Sequence, residues 1–352
     1  MFTFTYKWLT WRRPNRPLLP LPEGVERFFI DTPAGKIEVL HAKARDINVS
    51  GQKQSPLFFV HGGMGGAWVW LEYLTYFSSR GIPCYAVSMR GHGNSWLPSF
   101  LRLTYGTTLR MLADDVVAAL RWAQACEDGN EVVLVAHSSG GGLSQFILSE
   151  RDVRVKGLAL VGAVPGFGSL GVYLNWFRLD PFFTIRMLFH LWHPNSPLSH
   201  PALTRRVFFS EELSGKYVEE FQEKASPYES FWWIMAMRKT FVSPQTVLGQ
   251  ISSWGRAGQG LLVLRGGVDK IMNKPEMEKL AEFYRKAFQS LVAQKKLDVH
   301  DSGVEPIAGE GGEDTSGHGV RLSVVPGAGH HLQNDVTWEV GAAKLLAFYQ
   351  QL

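Results

Sequence analysis

The chain has 352 residues, of which 45% are hydrophobic and 19% are charged. This balance is typical of a globular protein with a sizeable core and excludes an intrinsically disordered chain. The net charge is only +4 and the basic residues are scattered singly or in pairs, so we expect no nucleic-acid partner. The two cysteines, Cys84 and Cys126, form neither a disulfide framework nor a zinc-binding spacing, which predicts reduced thiols, no metal site and a cytoplasmic protein.

Residues 1–25 form a predicted N-terminal extension rich in aromatic and basic side chains. Its aromatic and leucine residues precede its arginines, which is not the order of a signal peptide. These residues are Phe2, Phe4, Tyr6, Trp8, Leu9 and Trp11, followed by Arg12, Arg13 and Arg16. Two interpretations are open: the segment is an anchor that contacts a membrane surface, because aromatic side chains beside arginines suit the headgroup region, or it is a strap packed over a groove. No apolar stretch in the sequence reaches the roughly 18–20 residues that a membrane span requires.

A predicted core follows in two parts, residues 26–164 and residues 261–352. A hairpin with strands at 28–30 and 37–40 opens the first part, and short apolar runs then alternate with helical patterns. The runs lie at 57–60, 84–87, 132–135, 158–161, 261–264 and 322–325, and the helices at 109–126, 143–149, 277–292 and 340–349. Uniformly apolar strands separated by helices indicate an α/β fold with a mostly parallel central sheet and helices on both faces.

Two insertions interrupt this alternation. Residues 165–260 contain many aromatic residues and prolines but no strand pattern, which predicts a helical cap over the carboxyl ends of the strands, where α/β sheets bind ligands. We expect most of these aromatic side chains to form the core of the cap and a minority to contact substrate, with Trp176 and Trp233 as candidates. Residues 301–319 are rich in glycine and acidic residues, which predicts a flexible loop.

The segment Ala136-His137-Ser138-Ser139-Gly140-Gly141 directly follows the apolar run at 132–135. A strand that ends in a serine and turns at once into a glycine-rich helix start predicts a nucleophile elbow, in which a sharp turn exposes the Ser138 hydroxyl. For this hexapeptide alone, an ordinary strand–turn–helix with a capping serine is the alternative.

A serine hydroxyl is a weak nucleophile that needs a base, and the base needs an acid to orient it. Asp269 follows the run at 261–264 by one short loop, and His330 follows the run at 322–325 in the same way. The order serine, acid, histidine, each just past a strand end, predicts a catalytic triad of Ser138, Asp269 and His330. Two alternatives stay open: Asp269 caps the next helix, or His331 is the base.

The glycine-rich loop His61-Gly62-Gly63-Met64-Gly65-Gly66 follows the strand at 57–60 and lets the backbone approach a substrate closely. We predict that the Gly63 N–H, with Met64 as second choice, and the Ser139 N–H form an oxyanion hole. Met64 and His137 are further candidate substrate contacts. The glycine spacing fits neither of the common phosphate-binding motifs, so we expect no cofactor.

Together these residues resemble the α/β-hydrolase superfamily, in its cap-bearing serine hydrolase and esterase branch. His61-Gly62-Gly63 resembles the oxyanion loop of that superfamily, the segment from Arg90 to Ser95 resembles its Arg-Gly-x-Gly-x-Ser turn, and Asp115 matches a common acidic position. Ser88 departs from the pattern, since relatives usually carry an acid there.

The resemblance implies a serine hydrolase that cleaves an ester, lactone or related acyl bond of a hydrophobic small molecule, through an acyl-enzyme. Two alternatives remain. One is non-hydrolytic or C–C bond chemistry on a hydrophobic metabolite at the same site, and the other is a non-catalytic ligand-binding protein on this fold.

Overall fold

The computed structural model describes residues 3–15, 17–45, 54–255, 258–308 and 313–352, and in these residues ten strands form one sheet. The strands are β1 (Val25–Thr32), β2 (Gly35–Ala42), β3 (Leu57–Val60), β4 (Cys84–Ser88), β5 (Val133–His137), β6 (Gly157–Val161), β7 (Leu261–Gly266), β8 (Glu305–Pro306), β9 (Thr315–Gly317) and β10 (Val320–Val325). Their order across the sheet is β1-β2-β4-β3-β5-β6-β7-β10-β9-β8. The six strands from β4 to β10 pair in parallel, whereas β1, β2, β8 and β9 pair antiparallel at the two edges.

Twelve α-helices occur in the described residues, and most of them connect these strands. They are α1 (Leu71–Ser78), α2 (Phe100–Thr104), α3 (Leu109–Cys126), α4 (Ser138–Ser149), α5 (Leu170–Leu179), α6 (Phe183–Phe189), α7 (Pro201–Phe208), α8 (Gly215–Lys224), α9 (Phe231–Ala236), α10 (Pro244–Gly249), α11 (Lys274–Ala293) and α12 (Trp338–Tyr349). The α/β fold class predicted from the alternating pattern is confirmed.

The central strands are apolar along their whole length because helices cover both faces of the sheet. Every residue of β3, β5, β6, β7 and β10 is buried, whereas β1 at the edge has only two buried residues, Val25 and Ile30. The helices begin at local signals. The Thr108 hydroxyl accepts the Met111 N–H at the start of α3, and the Asn273 side chain accepts the Glu276 N–H at the start of α11.

The insertion at 165–260 contains helices α5 to α10 and encloses a cavity above the carboxyl ends of the central strands. Its last helix, α10, packs against α4 and α11. By its contacts α10 therefore belongs to the core, although it lies within the range expected for the cap.

The second insertion, residues 301–319, contains two short strands where we expected only a loop. Strand β9 pairs with β10 and β8 pairs with β9, so the segment extends the edge of the sheet. The buried Asp314 anchors it, because its carboxylate accepts the Val324 N–H at 3.0 Å and pairs with Lys344 at 2.7 Å. Residues 309–312 of the expected loop lie outside the described residues.

Residues 3–15 of the N-terminal extension, which we call the strap, pack along the cap. Arg186 Nε donates to the Thr3 carbonyl at 2.8 Å, and the Tyr6 hydroxyl donates to the Phe189 carbonyl at 2.7 Å. The Phe4 ring stacks on His190 with centroids 4.6 Å apart. Phe2 and Arg16, which belong to the same predicted segment, lie outside the described residues. Over the described residues, the structure contains no helix with the length and apolarity needed to cross a bilayer.

Ser88 stands where relatives usually carry an acid, and the neighbouring strand provides a carboxylate beside it. Glu38 on β2 pairs directly with Ser88 on β4 and accepts a hydrogen bond from its hydroxyl at 2.7 Å. The same buried carboxylate accepts the Asn94 N–H at 2.9 Å and forms an ion pair with Arg27 at 2.6 Å. Glu38 therefore provides a carboxylate beside the turn after β4, next to the position where relatives usually carry an acid.

Candidate active site

The junction of β5 and α4 forms the tight elbow predicted from the sequence. Ser138 is the first residue of α4 and has a φ of 53°, a left-handed conformation that non-glycine residues rarely adopt outside strained functional turns. Its neighbours must be small. A Cβ on Gly140 would lie 2.1 Å from the His61 carbonyl oxygen, and a Cβ on Gly62 would lie 2.7 Å from the Ser138 Cβ.

Ser138, His330 and Asp269 form one hydrogen-bonded chain. His330 Nε2 lies 2.9 Å from Ser138 Oγ, and His330 Nδ1 lies 2.9 Å from Asp269 Oδ2. A carboxylate at Nδ1 holds the ring proton there, which leaves the Nε2 lone pair to accept the serine proton. All three residues predicted as the triad therefore meet, and their catalytic roles remain a prediction.

Asp269 is fixed by its own backbone surroundings before it meets the histidine. Its Oδ1 accepts the N–H groups of Ile271 and Met272, each at 2.9 Å. The cap of α11 is Asn273, so the alternative in which Asp269 caps that helix does not hold.

His331, the alternative base, lines the cavity, but its backbone and ring are held by other groups. Its N–H donates to the Phe208 carbonyl at 2.9 Å, and its ring packs against Phe208 and Phe221 with centroids 4.7 and 4.8 Å away. Burial and the neighbouring His330 hold the pKa of His331 well below the usual histidine value. The imidazole in contact with Ser138 is that of His330.

The structure corrects two expected substrate contacts, His137 and Trp233. Neither side chain is at the cavity wall, and both are fully buried. Burial, together with the nearby His331 and His330, lowers the pKa of His137 well below the usual value, so the neutral ring donates from Nε2 to the His330 carbonyl at 3.0 Å. His137 therefore supports the loop that carries His330. Trp233 instead packs edge-on against His92, with centroids 5.9 Å apart.

A residue that sequence reasoning missed, Asp335, ties this loop to the cap. Its Oδ2 accepts the Gly329 N–H at 2.8 Å and the Ser210 N–H at 2.7 Å. Ser210 lies 125 positions earlier in the chain, just after α7. No local pattern marks such a link, because it depends on the final position of the cap.

The cavity above Ser138 has a volume of about 520 Å³, which is within the usual range for a small-molecule site. Its wall is mostly apolar and comes largely from the cap. Trp176 and Met64, two of the expected substrate contacts, are among the lining residues. The apolar lining also includes Val172, Leu174, Phe177, Phe183, Met187, Leu198, Phe208, Phe231, Ile234, Met235 and Ile271.

The two predicted oxyanion donors, Gly63 and Ser139, lie at the cavity wall beside Ser138. The Ser139 N–H is in the first turn of α4 and has no intrahelical partner. The second-choice donor is occupied, since the Met64 N–H donates to Glu229 Oε2 at 2.8 Å.

Glu229 was not identified from the sequence. It is fully buried and is the single carboxylate among the described residues that line the cavity. The sequence contains one indication of its role: Glu229 is the one charged residue from 225 to 237, a stretch that is otherwise uncharged. No three His, Cys, Asp or Glu side chains are arranged to hold a metal ion in the part of the chain that the structure describes.

A family model of the alpha/beta hydrolase family matches residues 57–339, which is most of the chain. The chain belongs to the alpha/beta hydrolase family. It is also similar to the putative methylesterase 15, chloroplastic, of Arabidopsis thaliana, with 26% identity over 119 residues. That match covers 34% of this chain and only 25% of the methylesterase.

Solved structures of esterases share the fold of this chain. A thermostable carboxyl esterase from Bacillus coagulans has a TM-score of 0.61 and 13% identity, over 94% of this chain and 99% of its own. An esterase from Exiguobacterium antarcticum has a TM-score of 0.59 and 17% identity, over 92% of this chain and 98% of its own. Membership of the family supports hydrolase activity in general and does not specify the bond that is cleaved.

Proposed function

We propose that this alpha/beta hydrolase is a serine hydrolase that cleaves an ester, lactone or related acyl bond of a hydrophobic small molecule. The observation that carries the proposal is the unbroken chain of hydrogen bonds from Ser138 through His330 to Asp269 at the floor of an apolar cavity.

In the proposed mechanism, His330 Nε2 takes the proton of Ser138 Oγ as that oxygen attacks the substrate carbonyl carbon. The Asp269 carboxylate stabilises the imidazolium that results. The N–H groups of Ser139 and Gly63 hold the oxyanion of the tetrahedral intermediate. His330 then protonates the leaving group, and in the second half-reaction it activates the water that hydrolyses the acyl-enzyme.

The cavity wall favours a neutral, apolar acyl group. Aromatic and aliphatic side chains of the cap form most of its surface, and a charged acyl chain would lose its hydration there without gaining a partner of opposite charge. We therefore expect activity to rise from acetyl esters to medium-chain esters, because longer chains bury more apolar surface.

The test is the turnover of p-nitrophenyl esters of increasing chain length by the wild type and by Ser138→Ala. We expect a maximum at medium chain length, and a loss of at least about 10³-fold in kcat for Ser138→Ala with an unchanged melting temperature. Full activity in Ser138→Ala would contradict the proposal. A flat profile near zero for every ester would favour the alternative of non-hydrolytic or C–C bond chemistry.

A further inference from the structure

A second ionisable pair, Glu229 and His92, lies beside the triad and has no role in the proposed mechanism. Both side chains are fully buried, and His92 Nε2 lies 2.8 Å from Glu229 Oε2. Glu229 comes from the cap, two residues before α9, and His92 comes from the turn after β4. The pair therefore connects the cap to the core at the level of the oxyanion loop.

The contacts of His92 identify it as an imidazolium. Its Nδ1 lies 3.0 Å from the Arg90 carbonyl oxygen and its Nε2 faces the carboxylate, so both ring nitrogens have acceptors as partners. Burial lowers the pKa of His92, but the Glu229 carboxylate, the Arg90 carbonyl and Asp115 together outweigh burial, and the pKa is raised above the usual histidine value. The positive charge of His92 compensates the negative charge of Glu229 inside the apolar site.

The carboxylate also binds the oxyanion loop. Glu229 Oε2 accepts the Met64 N–H at 2.8 Å, and Oε1 accepts the Ser230 N–H at 2.7 Å. Met64 has a φ of 62°, an unfavourable left-handed conformation for methionine, so this turn needs an external contact to hold it. The preceding N–H, that of Gly63, has no acceptor among the residues described and lies at the cavity wall.

We propose that Glu229 is a positioning residue for the oxyanion hole: it holds the Met64 N–H so that the Gly63 N–H faces the substrate oxygen beside Ser138. His92 makes this arrangement compatible with catalysis, because an uncompensated carboxylate near the developing oxyanion would oppose its formation. The inference rests on the proposed function, since the oxyanion exists only if Ser138 attacks a carbonyl.

Three substitutions separate this role from a structural one. Glu229→Ala removes the acceptor, Glu229→Asp withdraws it by one methylene while keeping the charge, and Glu229→Gln keeps an acceptor oxygen at full length. Glu219→Ala, an exposed acid of the cap helix α8, is the matched control. For each variant, kcat and KM are measured on one p-nitrophenyl ester, together with the Ki of a trifluoromethyl ketone. Active sites are counted by fluorophosphonate titration.

We expect kcat per active site to fall about 10²-fold in Glu229→Ala and about 10-fold in Glu229→Asp, with KM within about threefold of the wild type. The affinity for the ketone, whose adduct on Ser138 carries the oxyanion, should fall in parallel. Glu229→Gln should recover most of both losses. Where Glu229→Ala does not fold, Glu229→Asp carries the test.

Wild-type kcat and ketone affinity in Glu229→Asp or Glu229→Ala would overturn the inference while leaving the proposed function intact. A change in melting temperature alone, with both kinetic quantities unchanged, would also overturn it. A wild-type protein that neither reacts with the fluorophosphonate nor hydrolyses any ester would instead refute the proposed function, and this inference with it.

The outer surface of the cap carries a second, independent feature, an apolar face around the cavity mouth. Leu174, Phe177, Leu188, Phe189, Leu191 and Trp192, which we call the cap face, are between 49% and 72% exposed. Leu174, Phe177 and Trp192 also line the cavity. These six large apolar side chains between residues 174 and 192 exceed the single scattered ones of an ordinary surface, and such a concentration marks a binding site for a partner or a membrane.

The charges around the cap face point to an anionic partner. Residues 1–22 contain no acid, and residues 165–210 contain only Asp180, which is buried and paired with Arg186. One exposed acid from outside these ranges, Glu223 of α8, lines a groove together with Lys7. Lys7, Arg12 and Arg13 of the strap are exposed, and so is Arg178, which shares helix α5 with Leu174 and Phe177. A second copy of the chain fits poorly, because a twofold contact through this surface would bring cations against cations.

We infer that the cap face docks on an anionic lipid bilayer, with its apolar side chains at the acyl boundary and the neighbouring cations at the headgroups. Docking in this way would place the cavity mouth against the membrane, from which an apolar molecule can enter without crossing water.

The test is cosedimentation with phosphatidylcholine vesicles, with and without 30% phosphatidylserine, at low and high salt. We expect at least about tenfold stronger binding to the anionic vesicles, weakened by salt. The double variant Leu188→Ser/Leu191→Ser should lose at least about tenfold in affinity and keep its turnover of a soluble ester, because neither residue lines the cavity. Val340→Ser, an exposed apolar position on α12, is the matched control.

If phosphatidylserine in the vesicles does not increase sedimentation of the wild type, the inference is overturned. Unchanged binding by the double variant would also overturn it. Concentration-dependent dimers in light scattering, absent from the double variant, would overturn it in favour of self-association.

Discussion

At the scale of single residues, hydrogen bonds fix the orientation of each group in the site. Asp269 accepts two backbone N–H groups on one oxygen and His330 on the other. His330 has its backbone carbonyl bonded to His137 and its side chain held between Asp269 and Ser138. The three predicted triad residues are therefore held in one arrangement, and such preorganisation would lower the barrier to the proposed acyl transfer.

Asp269→Asn tests this orientation directly. The asparagine keeps the size of the side chain, but its amide favours the imidazole tautomer that carries the proton on Nε2, where the base must accept. We expect kcat to fall about 10⁴-fold while the melting temperature changes little. A loss of less than about tenfold would show that His330 does not depend on this carboxylate.

The buried histidines make stability depend on pH. His61, His137 and His331 all have pKa values well below the usual one, mainly because burial disfavours the charged ring. In the unfolded chain each titrates near the ordinary value, so on acidification the unfolded state takes up protons that the folded state does not. The free energy of unfolding is therefore highest, as far as these histidines are concerned, above about pH 6.5. Below that pH it falls by up to about 1.4 kcal/mol per pH unit for each histidine.

We therefore expect the free energy of unfolding in urea to fall from pH 7 to pH 5. His331→Gln should reduce the slope of that fall by about one proton. His92, whose pKa is raised, acts in the opposite direction: its contribution is complete below about pH 6.5 and is lost as the pH rises above that value. An unchanged slope in His331→Gln would show that this ring is already protonated in the folded protein.

At the scale of elements, the elbow requires that α4 cross close to β3 and β6. A Cβ on Gly140 would reach the His61 carbonyl at 2.1 Å, and a Cβ on Gly141 would reach the Ala163 Cβ at 2.4 Å. The glycines of the motif are thus required by close contacts with His61 and Ala163 on the segments that follow β3 and β6.

Gly140→Ala should accordingly destabilise the protein by about 2–3 kcal/mol or prevent folding, because the rigid backbone cannot move away. Gly249→Ala, in helix α10 with open space around its Cα, is the control and should gain about 0.5–1 kcal/mol. The comparison uses chemical denaturation of both variants. Equal stability of the two proteins would contradict this account of the elbow.

The strands that the sequence pattern predicted best are those whose burial is complete. The runs at 57–60, 84–87 and 158–161 lie within β3, β4 and β6 because a strand covered on both faces must be apolar throughout. Strands β8 and β9 escaped prediction because they are too short for a pattern and depend on pairing with β10. Glu229 and Asp335 escaped for a related reason, since their partners are distant in the sequence.

At the scale of the whole molecule, the cap is attached to the core at the groups to which the proposed function assigns the chemistry. Asp335 joins Ser210 of the cap to the loop of His330, and Glu229 joins the cap to Met64 and His92. The strap crosses the outer side of the same cap. The helices of the cap therefore line the cavity and support both the loop of His330 and the oxyanion loop.

Removal of residues 1–15 tests the support that the strap provides. The truncated protein loses the contacts of Thr3, Tyr6 and Thr10 with the cap, so we expect faster cleavage of the cap by trypsin and a core that stays resistant. Cleavage sites are located by mass spectrometry of the fragments. Identical digestion of the truncated and full-length chains would mean that the strap does not stabilise the cap.

The reaction of the wild type with a fluorophosphonate, followed by peptide mass mapping, is the most direct measurement of whether the serine at the elbow is activated by its histidine. The adduct should lie on Ser138 alone, and His330→Ala should form it at least about 10³-fold more slowly. An adduct on another residue, or an equal rate in His330→Ala, would contradict the proposed nucleophile and base.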